Sequence, residues 1–207
     1  MISNGKFYES QFEEATIELL REAHWQYAFG DDIHRKYTDP LIEEDLRNFL
    51  TVQYKDKNLT TSEMDSIVAN LRNTGGQNDY YALRNAFLLY RDGYDFAYSD
   101  GRDNPFRLEY IDFEHPDHNI FRCVNQFVME QGRENRRPDI LLFINGIPVC
   151  IIELKNPTKQ NATIHDAHTQ ICTRYMRDIP ALLKYCALAV ISDGAKNALG
   201  TTYTPFE

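Results

Sequence analysis

The chain of 207 residues has little of what marks membrane, secreted or zinc-binding proteins. It contains no apolar run long enough to span a bilayer, and its N-terminus, MISNGKFYES, lacks the apolar core of a signal peptide. Its four cysteines form neither a Cys-x-x-Cys pair nor a Cys/His cluster with zinc spacing. We therefore expect buried, reduced thiols, a cytoplasmic location and no association with a membrane.

Positive charge is also scarce, since the formal net charge is −9. A protein that binds nucleic acid with its whole surface needs Lys and Arg to neutralise phosphates, so the sequence does not favour that class. A local basic face stays compatible with this composition, as does an ordinary mixed surface. The candidates for such a face lie in the second half of the chain and are Arg133, Arg136, Arg137, Lys155, Lys159, Arg174 and Arg177.

A phosphate-binding loop is missing as well. The best glycine-containing segment, GAKNALGTT (194–202), lacks the glycine-lysine pair of such a loop. No nucleotide site is therefore expected within this chain.

Helical patterns occupy the first half of the sequence. Ser10-Gln11-Phe12-Glu13 fits a capping box that opens a helix running to about Ala23. A second capping box, Thr60 to Glu63, precedes apolar residues at helical spacing. Further helices are predicted over 41–52 and between Tyr80 and Tyr90.

Strand patterns occupy the second half. The predicted strands cover 106–113, 119–130, 141–145, 149–154 and 186–192, with a helix opened by Thr163 over 163–177. With 43% hydrophobic residues the chain can bury a sizeable core. We predict one α/β (α+β) domain over residues 1–207, in which a helical part (1–95) precedes a mixed central sheet (105–207) flanked by helices.

Three charged residues interrupt the strongest strand patterns, and they are Asp139, Glu153 and Lys155. Charges in buried strands are costly unless they are paired or bind a metal. Glu153 and Lys155 share one face, because side chains alternate along a strand. The spacing by itself also arises by chance, and a structural cluster of mutually satisfied charges is the alternative.

The hairpin between the two strands decides whether Asp139 joins the other two. A two-residue loop, Asn145-Gly146, would place Asp139 opposite Ile152, on the wrong face. A three-residue loop with Gly146 in a left-handed conformation would place Asp139 opposite Glu153. We predict the three-residue loop, because it gathers all three charges on one face.

Two carboxylates beside a lysine suit a divalent metal such as Mg²⁺ or Mn²⁺. Asp139, Glu153 and the main-chain carbonyl of Leu154 are the candidate ligands. Lys155 is placed to orient or deprotonate a water molecule and to stabilise a developing oxyanion. Without a metal, repulsion between the carboxylates would raise the pKa of one of them.

The segment RPDILLFINGIPVCIIELKNP (137–157) resembles the PD-(D/E)xK nuclease motif. More closely, it resembles the nuclease domain at the N-terminus of the R (HsdR) subunit of type I restriction endonucleases. The similarity extends to NIFRCVNQF (119–127) and over residues 177–207. The resemblance implies a restriction-endonuclease-like fold, with Asp139, Glu153 and Lys155 at the metal-binding and catalytic positions.

Further site residues follow from the resemblance. Related nucleases often add a glutamate from the first helix, and Glu13 is the best candidate here. The family also carries Gln-x-x-x-Tyr on the helix after the motif. This chain has Gln170, with Arg174 at the tyrosine position and Tyr175 one residue later. On an α-helix that extra residue turns Tyr175 away from Gln170, so only Gln170 is kept, beside Arg136, Arg137, Lys159 and Arg174 as candidate contacts to DNA.

The implied function is cleavage of double-stranded DNA after ATP-driven translocation, in a complex with methylation (M) and specificity (S) subunits. ATP would bind only in motor domains, which this chain does not include. Two other functions stay open: another PD-(D/E)xK nuclease acting in repair or on DNA junctions, and a non-catalytic DNA-binding or subunit-docking module. His165 and His168, one helical turn apart, are expected to be surface residues rather than metal ligands.

Overall fold

A computed structural model describes residues 9–155 and 163–206, and a six-stranded sheet forms the centre of this part of the chain. Apolar runs such as LLFI and VCII supply its middle strands, as is typical of strands covered on both faces. In chain order the strands are β1 (Gln26–Phe29), β2 (Tyr94–Phe96), β3 (Phe106–Leu108), β4 (Phe121–Asn125), β5 (Met129–Gln131), β6 (Glu134–Arg136), β7 (Ile140–Ile144), β8 (Ile147–Leu154), β9 (Leu188–Ser192) and β10 (Asn197–Gly200).

The sheet has the order β1-β4-β7-β8-β9-β10 and mixes both strand directions. β1 runs parallel to β4 and β8 runs parallel to β9, whereas the other neighbours are antiparallel. Two small hairpins, β2–β3 and β5–β6, lie outside this sheet. The predicted α/β class with a mixed central sheet is confirmed.

Helices cover the sheet and build a separate layer. In chain order they are α1 (Glu9–Glu22), α2 (Glu43–Gln53), α3 (Thr61–Asn73), α4 (Asp79–Asp92), α5 (Ile164–Thr169), a π-helical segment (Gln170–Tyr175), α6 (Met176–Asp178) and α7 (Pro180–Leu183). Short 3₁₀ turns span Gly30–Asp32, Lys55–Lys57 and Pro116–His118. None of the helices among the described residues is long and apolar enough to cross a membrane.

The capping box at Thr60 is confirmed. The Thr60 hydroxyl accepts a hydrogen bond from the Glu63 amide at 3.3 Å, and the Glu63 carboxylate accepts one from the Thr60 amide at 2.9 Å. The capping box predicted at Ser10 is wrong, because α1 already includes Glu9. The carboxylate of Glu13 is thereby left available for contacts outside its own helix.

Two different layers cover the two faces of the sheet. On one face, Ile17 of α1 packs with Ile140, Ile152 and Leu154. On the other face, α5, the π-helical segment and α7 pack against side chains that include Leu141, Phe143 and Ile151. Since side chains alternate along β8, Glu153 and Lys155 belong to this second face.

A third core lies at the far end of the β7–β8 hairpin. Helices α2, α3 and α4 pack there with the β2–β3 hairpin, and the core includes Ile147 at the start of β8. The amide of Ile42, the residue before α2, donates to the carbonyl of Gly146 at 2.9 Å. The helical layer is therefore attached to the turn of the hairpin.

The predicted three-residue loop of this hairpin is wrong. Ile144 pairs with Ile147, so Asn145 and Gly146 alone form the turn, and both have positive φ, at 50° and 77°. Positive φ at both central positions is the requirement of a two-residue type I′ turn. A β-bulge at Val149, where the pairing of β7 with β8 shifts by one residue, supplies the odd residue instead.

A substitution at Gly146 tests whether the turn requires glycine. A Cβ at Gly146 would lie 2.1 Å from the carbonyl oxygen of Ile42, and it would also have to adopt the unfavourable φ. We expect Gly146→Ala to lower the free energy of unfolding by at least about 2 kcal/mol. Gly132→Ala is the control, because Gly132 has a similar φ of +63° but no heavy atom within 4 Å. Urea unfolding should show the larger loss for Gly146→Ala, and equal losses would contradict the close contact.

Several strands differ from their predicted extents. β1 and β10 were not predicted, and β1 draws the helical part of the chain into the central sheet. β2 was not among the predicted strands either. The predicted strand over 119–130 divides into β4 and β5 around Gln126, whose φ of +55° is incompatible with a continuous strand.

Candidate active site

The bulge brings Asp139 and Glu153 to one face of the sheet. Beyond the bulge, Ile140 pairs with Ile152, so the adjoining residues Asp139 and Glu153 lie opposite each other. The Asp139 carboxylate accepts a hydrogen bond from the Leu154 amide at 2.7 Å. The predicted juxtaposition is therefore correct, although the wrong part of the hairpin was expected to produce it.

Glu153 is the centre of a polar network inside the protein, and its side chain is fully buried. Its Oε1 accepts hydrogen bonds from Lys155 Nζ, at 2.8 Å, and from the amide of Gln170. Its Oε2 accepts one from the Tyr175 hydroxyl at 3.3 Å. Lys155 also donates to Gln170 Oε1 at 3.0 Å. Every polar atom of the Glu153 carboxylate thus has a partner.

The pKa of the Glu153 carboxyl is raised in spite of its ion pair with Lys155. Burial, and then the nearby charge of Asp139, raise the pKa of Glu153 to about 8, although Lys155 and Tyr175 act in the opposite direction. A raised pKa is the behaviour expected of a carboxylate that shares its site with a second one. Positive charge brought close to Glu153 would lower this pKa and favour the ionised carboxylate.

The expected separation of Tyr175 from Gln170 is wrong. It assumed a regular α-helix, but residues Gln170–Tyr175 form a π-helical segment, whose wider turn takes up one extra residue. The amide of Gln170 donates to the Tyr175 hydroxyl at 2.7 Å, and both side chains contact Glu153. Arg174, at the position expected for the tyrosine, is exposed instead.

Glu13 lies on a different side of the sheet from Glu153. Its helix, α1, packs on the opposite face, and its carboxylate accepts hydrogen bonds from Asn125 Nδ2 at 2.7 Å and from Gln126 Nε2 at 3.0 Å. The main-chain amide of Gln126 donates to the carbonyl of Asp139 at 3.3 Å. Glu13 is thus connected to the backbone of Asp139 through Gln126, and its role as a metal ligand stays a prediction. Sequence reasoning placed Gln126 in a strand and missed this connection.

Comparison with known proteins identifies a family that matches this chain. The family model for the N-terminus of type I restriction enzyme R proteins matches residues 6–207. The chain belongs to this family. The match covers both the helical part and the sheet, so the resemblance seen in RPDILLFINGIPVCIIELKNP extends over nearly the whole chain.

Individual relatives agree with this assignment. The chain is 29% identical over 209 residues to the "Type I restriction enzyme HindI endonuclease subunit" of Haemophilus influenzae, which covers 96% of the chain and 20% of that relative. It is 31% identical over 197 residues to the "Putative type I restriction enzyme MjaIXP endonuclease subunit" of Methanocaldococcus jannaschii, covering 91% of the chain and 19% of that relative. The chain spans about a fifth of the length of these relatives.

The candidate basic residues of this R-protein N-terminal region differ in their surroundings. Arg136 forms an ion pair with the buried Asp178, at 2.7 Å from Nε, and a second one with Glu134. Arg177 pairs with Asp178 as well, at 2.6 Å. Arg137 and Arg174 are exposed and have no ion-pair partner in the described part of the chain. Lys159 lies outside the described residues.

His165 is exposed, as predicted, whereas His168 is half-buried. Both rings contact Phe206, with centroid separations of 4.9 and 5.4 Å, and His168 Nε2 lies 2.8 Å from the carbonyl oxygen of Thr204. They join α5 to the last described residues of the chain.

The residues of the candidate site fit a divalent metal. Carboxylate oxygens are the ligands that Mg²⁺ prefers, and Asp139 and Glu153 present two carboxylates on one face. Burial is the main cause of the raised pKa of Glu153, and the charge of Asp139 raises it further. A divalent cation beside both carboxylates would favour the ionised form of Glu153 and offset its repulsion from Asp139.

Proposed function

We propose that this chain carries the DNA-cleaving centre of a type I restriction R subunit and hydrolyses phosphodiester bonds with the help of Mg²⁺ or Mn²⁺. The observation that carries the proposal is the convergence of Asp139, Glu153 and Lys155 on one face, at the end of the β7–β8 hairpin. Membership of the R-protein family and relatives named as endonuclease subunits support the same activity.

The metal would be held by Asp139, Glu153 and the carbonyl of Leu154, with Glu13 as a further candidate. Bound there, it would lower the pKa of a water molecule and neutralise charge on the phosphate. The Leu154 amide, by donating to Asp139, fixes the orientation of that carboxylate. Gln170 and Tyr175 do the same for Glu153, because both donate to its oxygens.

Lys155 would act on the reacting groups themselves. Its side chain is only 12% exposed, and its ammonium group is held between Glu153 and Gln170. From this position it can orient the attacking water and stabilise the negative charge that develops on the phosphate oxygens. Gln170 positions Lys155 through a hydrogen bond of 3.0 Å.

The rest of the reaction would depend on other parts of the enzyme. The relatives are about five times as long as this chain, which leaves room in the full subunit for an ATP-driven motor. We propose that ATP binds there, that the substrate is double-stranded DNA in the cytoplasm, and that M and S subunits supply recognition of the DNA sequence. The chain itself would then have little sequence specificity.

The two classes of arginine predict different mutant behaviour. Arg174→Ala should weaken binding to DNA and reduce the salt dependence of the affinity by about one unit of slope, because an exposed arginine can neutralise one phosphate. Arg136→Ala should instead lower the free energy of unfolding by about 1–3 kcal/mol, since it removes hydrogen bonds to the buried Asp178. Fluorescence anisotropy over a salt series and urea unfolding measure the two effects. The same response from both variants would contradict this division.

Cleavage of a supercoiled plasmid tests the proposed function. The full-length R subunit, assembled with its M and S subunits and ATP, is compared in Mg²⁺, in Mn²⁺ and in EDTA, and this chain is assayed alone in parallel. We expect cleavage by the complex with either metal and none in EDTA. An Asp139→Asn subunit purified in the same way controls for contaminating nucleases. Cleavage that persists in EDTA, or that equals the wild type in Asp139→Asn, would reject the proposal.

A further inference from the structure

A second group of metal-ligating side chains lies in the loop between β3 and β4. Asp112, His115 and His118 follow one another at intervals of three residues, and one potential ligand atom from each lies within 4.8 Å of the other two. Nothing in the proposed nuclease chemistry uses these residues. They also lie far from Glu153. The loop is joined to the Asn145-Gly146 turn, about 20 Å from Glu153 along β8 at ~3.3 Å per residue.

The two histidines converge on a single oxygen of Asp112. His118 Nδ1 lies 3.0 Å from Asp112 Oδ2, and His115 Nδ1 lies 3.5 Å from the same atom. The two rings are stacked, with centroids 4.9 Å apart and an interplanar angle of 17°, so both edges point toward the carboxylate. Ligands at about 2.1 Å from a tetrahedral metal stand about 3.4 Å apart, which is close to both nitrogen-to-oxygen distances.

The carboxylate is already fixed in position. Asp112 is only 4% exposed, and its Oδ1 accepts hydrogen bonds from the amides of His115, at 2.8 Å, and Glu114, at 3.1 Å. Gln53 Nε2 donates to Oδ2 at 3.1 Å. Partners of this kind orient a ligand and determine which oxygen lone pairs are available to a metal.

The loop that carries the histidines is also held in place. The side chain of Asn119 accepts a hydrogen bond from the Asp112 amide at 2.9 Å and donates one to the Asp112 carbonyl at 2.7 Å. Asn145, which is fully buried in the turn of the central hairpin, donates to the Asn119 side chain at 2.8 Å. Pro116 restricts the backbone between the two histidines. A metal would therefore meet a nearly formed site and would order little of the chain.

We propose that Asp112, His115 and His118 bind a divalent transition metal of the Zn²⁺ class. Two imidazoles with one carboxylate suit zinc, whereas Mg²⁺ prefers oxygen ligands alone. Each imidazole would bind through Nδ1 and carry its proton on Nε2. The side chains of His115 and His118 are 60% and 51% exposed, so solvent can reach the site and supply a fourth ligand. The exposed carboxylates of Glu114 and Asp117 on the same loop make the surroundings attractive to a cation.

Calorimetric titration of this chain with ZnCl₂, followed by cobalt substitution, tests the proposal. We expect a saturable zinc site that depends on His115 and His118, a higher melting temperature with zinc, and the visible absorption of Co²⁺ bound to nitrogen. His115→Ala and His118→Ala should each weaken zinc binding at least about tenfold, because even the loss of an outer partner has an effect of that size. Both side chains are exposed, so these variants are expected to fold, and circular dichroism checks that they do.

Two further variants separate this site from other sources of binding. His165→Ala removes a histidine of similar type that contacts Phe206 and belongs to no metal-ligating cluster among residues 9–155 and 163–206, and it should bind zinc like the wild type. Glu153→Gln alters the proposed nuclease centre and should also retain the site. Absence of saturable binding, or equal affinity in the wild type and in His118→Ala, would overturn the proposal. Loss of the zinc site in Glu153→Gln would overturn it as well and would assign the metal to the other centre.

Discussion

Replacing Lys155 by methionine is expected to lower the rate of metal-dependent DNA cleavage by about 10²–10⁴-fold. This is the range for removing a group that transfers a proton or stabilises charge in the transition state. Methionine keeps most of the length and apolar stem of the side chain but cannot donate to Glu153 or Gln170. Plasmid cleavage by the assembled enzyme, measured over a series of Mg²⁺ concentrations, gives the change in rate at saturating metal.

The stability of the Lys155→Met variant distinguishes a chemical role from a structural one. If the charges only satisfied each other, the substitution would mainly destabilise the fold and leave DNA binding unchanged. Burial and Asp139 already raise the pKa of Glu153 to about 8, and the loss of Lys155 would raise it further, so this carboxyl can take up a proton when its partner is removed. We therefore expect a modest change in unfolding free energy beside the large loss of cleavage. Lys196→Met, at an exposed position in the β9–β10 turn, is the matched control and should cleave like the wild type.

Glu153→Gln is expected to stabilise the metal-free protein, and increasingly so as the pH rises from 5 to 8. The pKa of this carboxyl is raised from 4.5 to about 8 by burial and by Asp139. Between these values the folded state binds more protons than the unfolded state, so the wild type loses stability as the pH rises through this window. Glutamine has no proton to lose. At about 1.4 kcal/mol per pH unit, the difference reaches at most about 5 kcal/mol at pH 8.

Urea unfolding in EDTA at several pH values measures this effect. Glu130→Gln removes an exposed glutamate from the same protein and should show little pH-dependent gain over the wild type. A stability difference between Glu153→Gln and the wild type that stays constant from pH 5 to 8 would show that Glu153 is already ionised in the folded state. Added Mg²⁺ should reduce the difference, since a cation favours the ionised carboxylate of the wild type.

The sequence predicted the composition of the candidate site better than the geometry that forms it. Alternation along a strand is local, so the shared face of Glu153 and Lys155 could be derived from two residues. The position of Asp139 depends on the length of the whole connection, and the odd residue could have been in the turn or in either strand. Asn145-Gly146 is a strong signal for a two-residue turn, but the bulge at Val149 has no comparable sequence signal.

Long-range pairing and unusual helix geometry account for the other differences. β1 is only four residues long and pairs with a strand about a hundred residues away, so nothing in its own sequence identifies it. The π-helical segment looks like any amphipathic helix in the sequence, and Tyr175 was therefore placed on the wrong face. The helices α2, α3 and α4 could be predicted because apolar periodicity and capping residues act within a few positions.

The bulge in β8 and the wide turn after Gln170 are two instances of the same event, a single residue absorbed by the backbone. Regular strand and helix spacing would separate Asp139 from Glu153 and Gln170 from Tyr175. The bulge brings the first pair together, and the wide turn brings the second pair together. A substitution tests the chemical role of a side chain, whereas an insertion or deletion tests how its position in the fold is determined. If Val149 instead paired within the ladder, the chain would keep every candidate residue and yet present Ile152 opposite Asp139, so alignments of such chains should be judged by structural register rather than by residue identity alone.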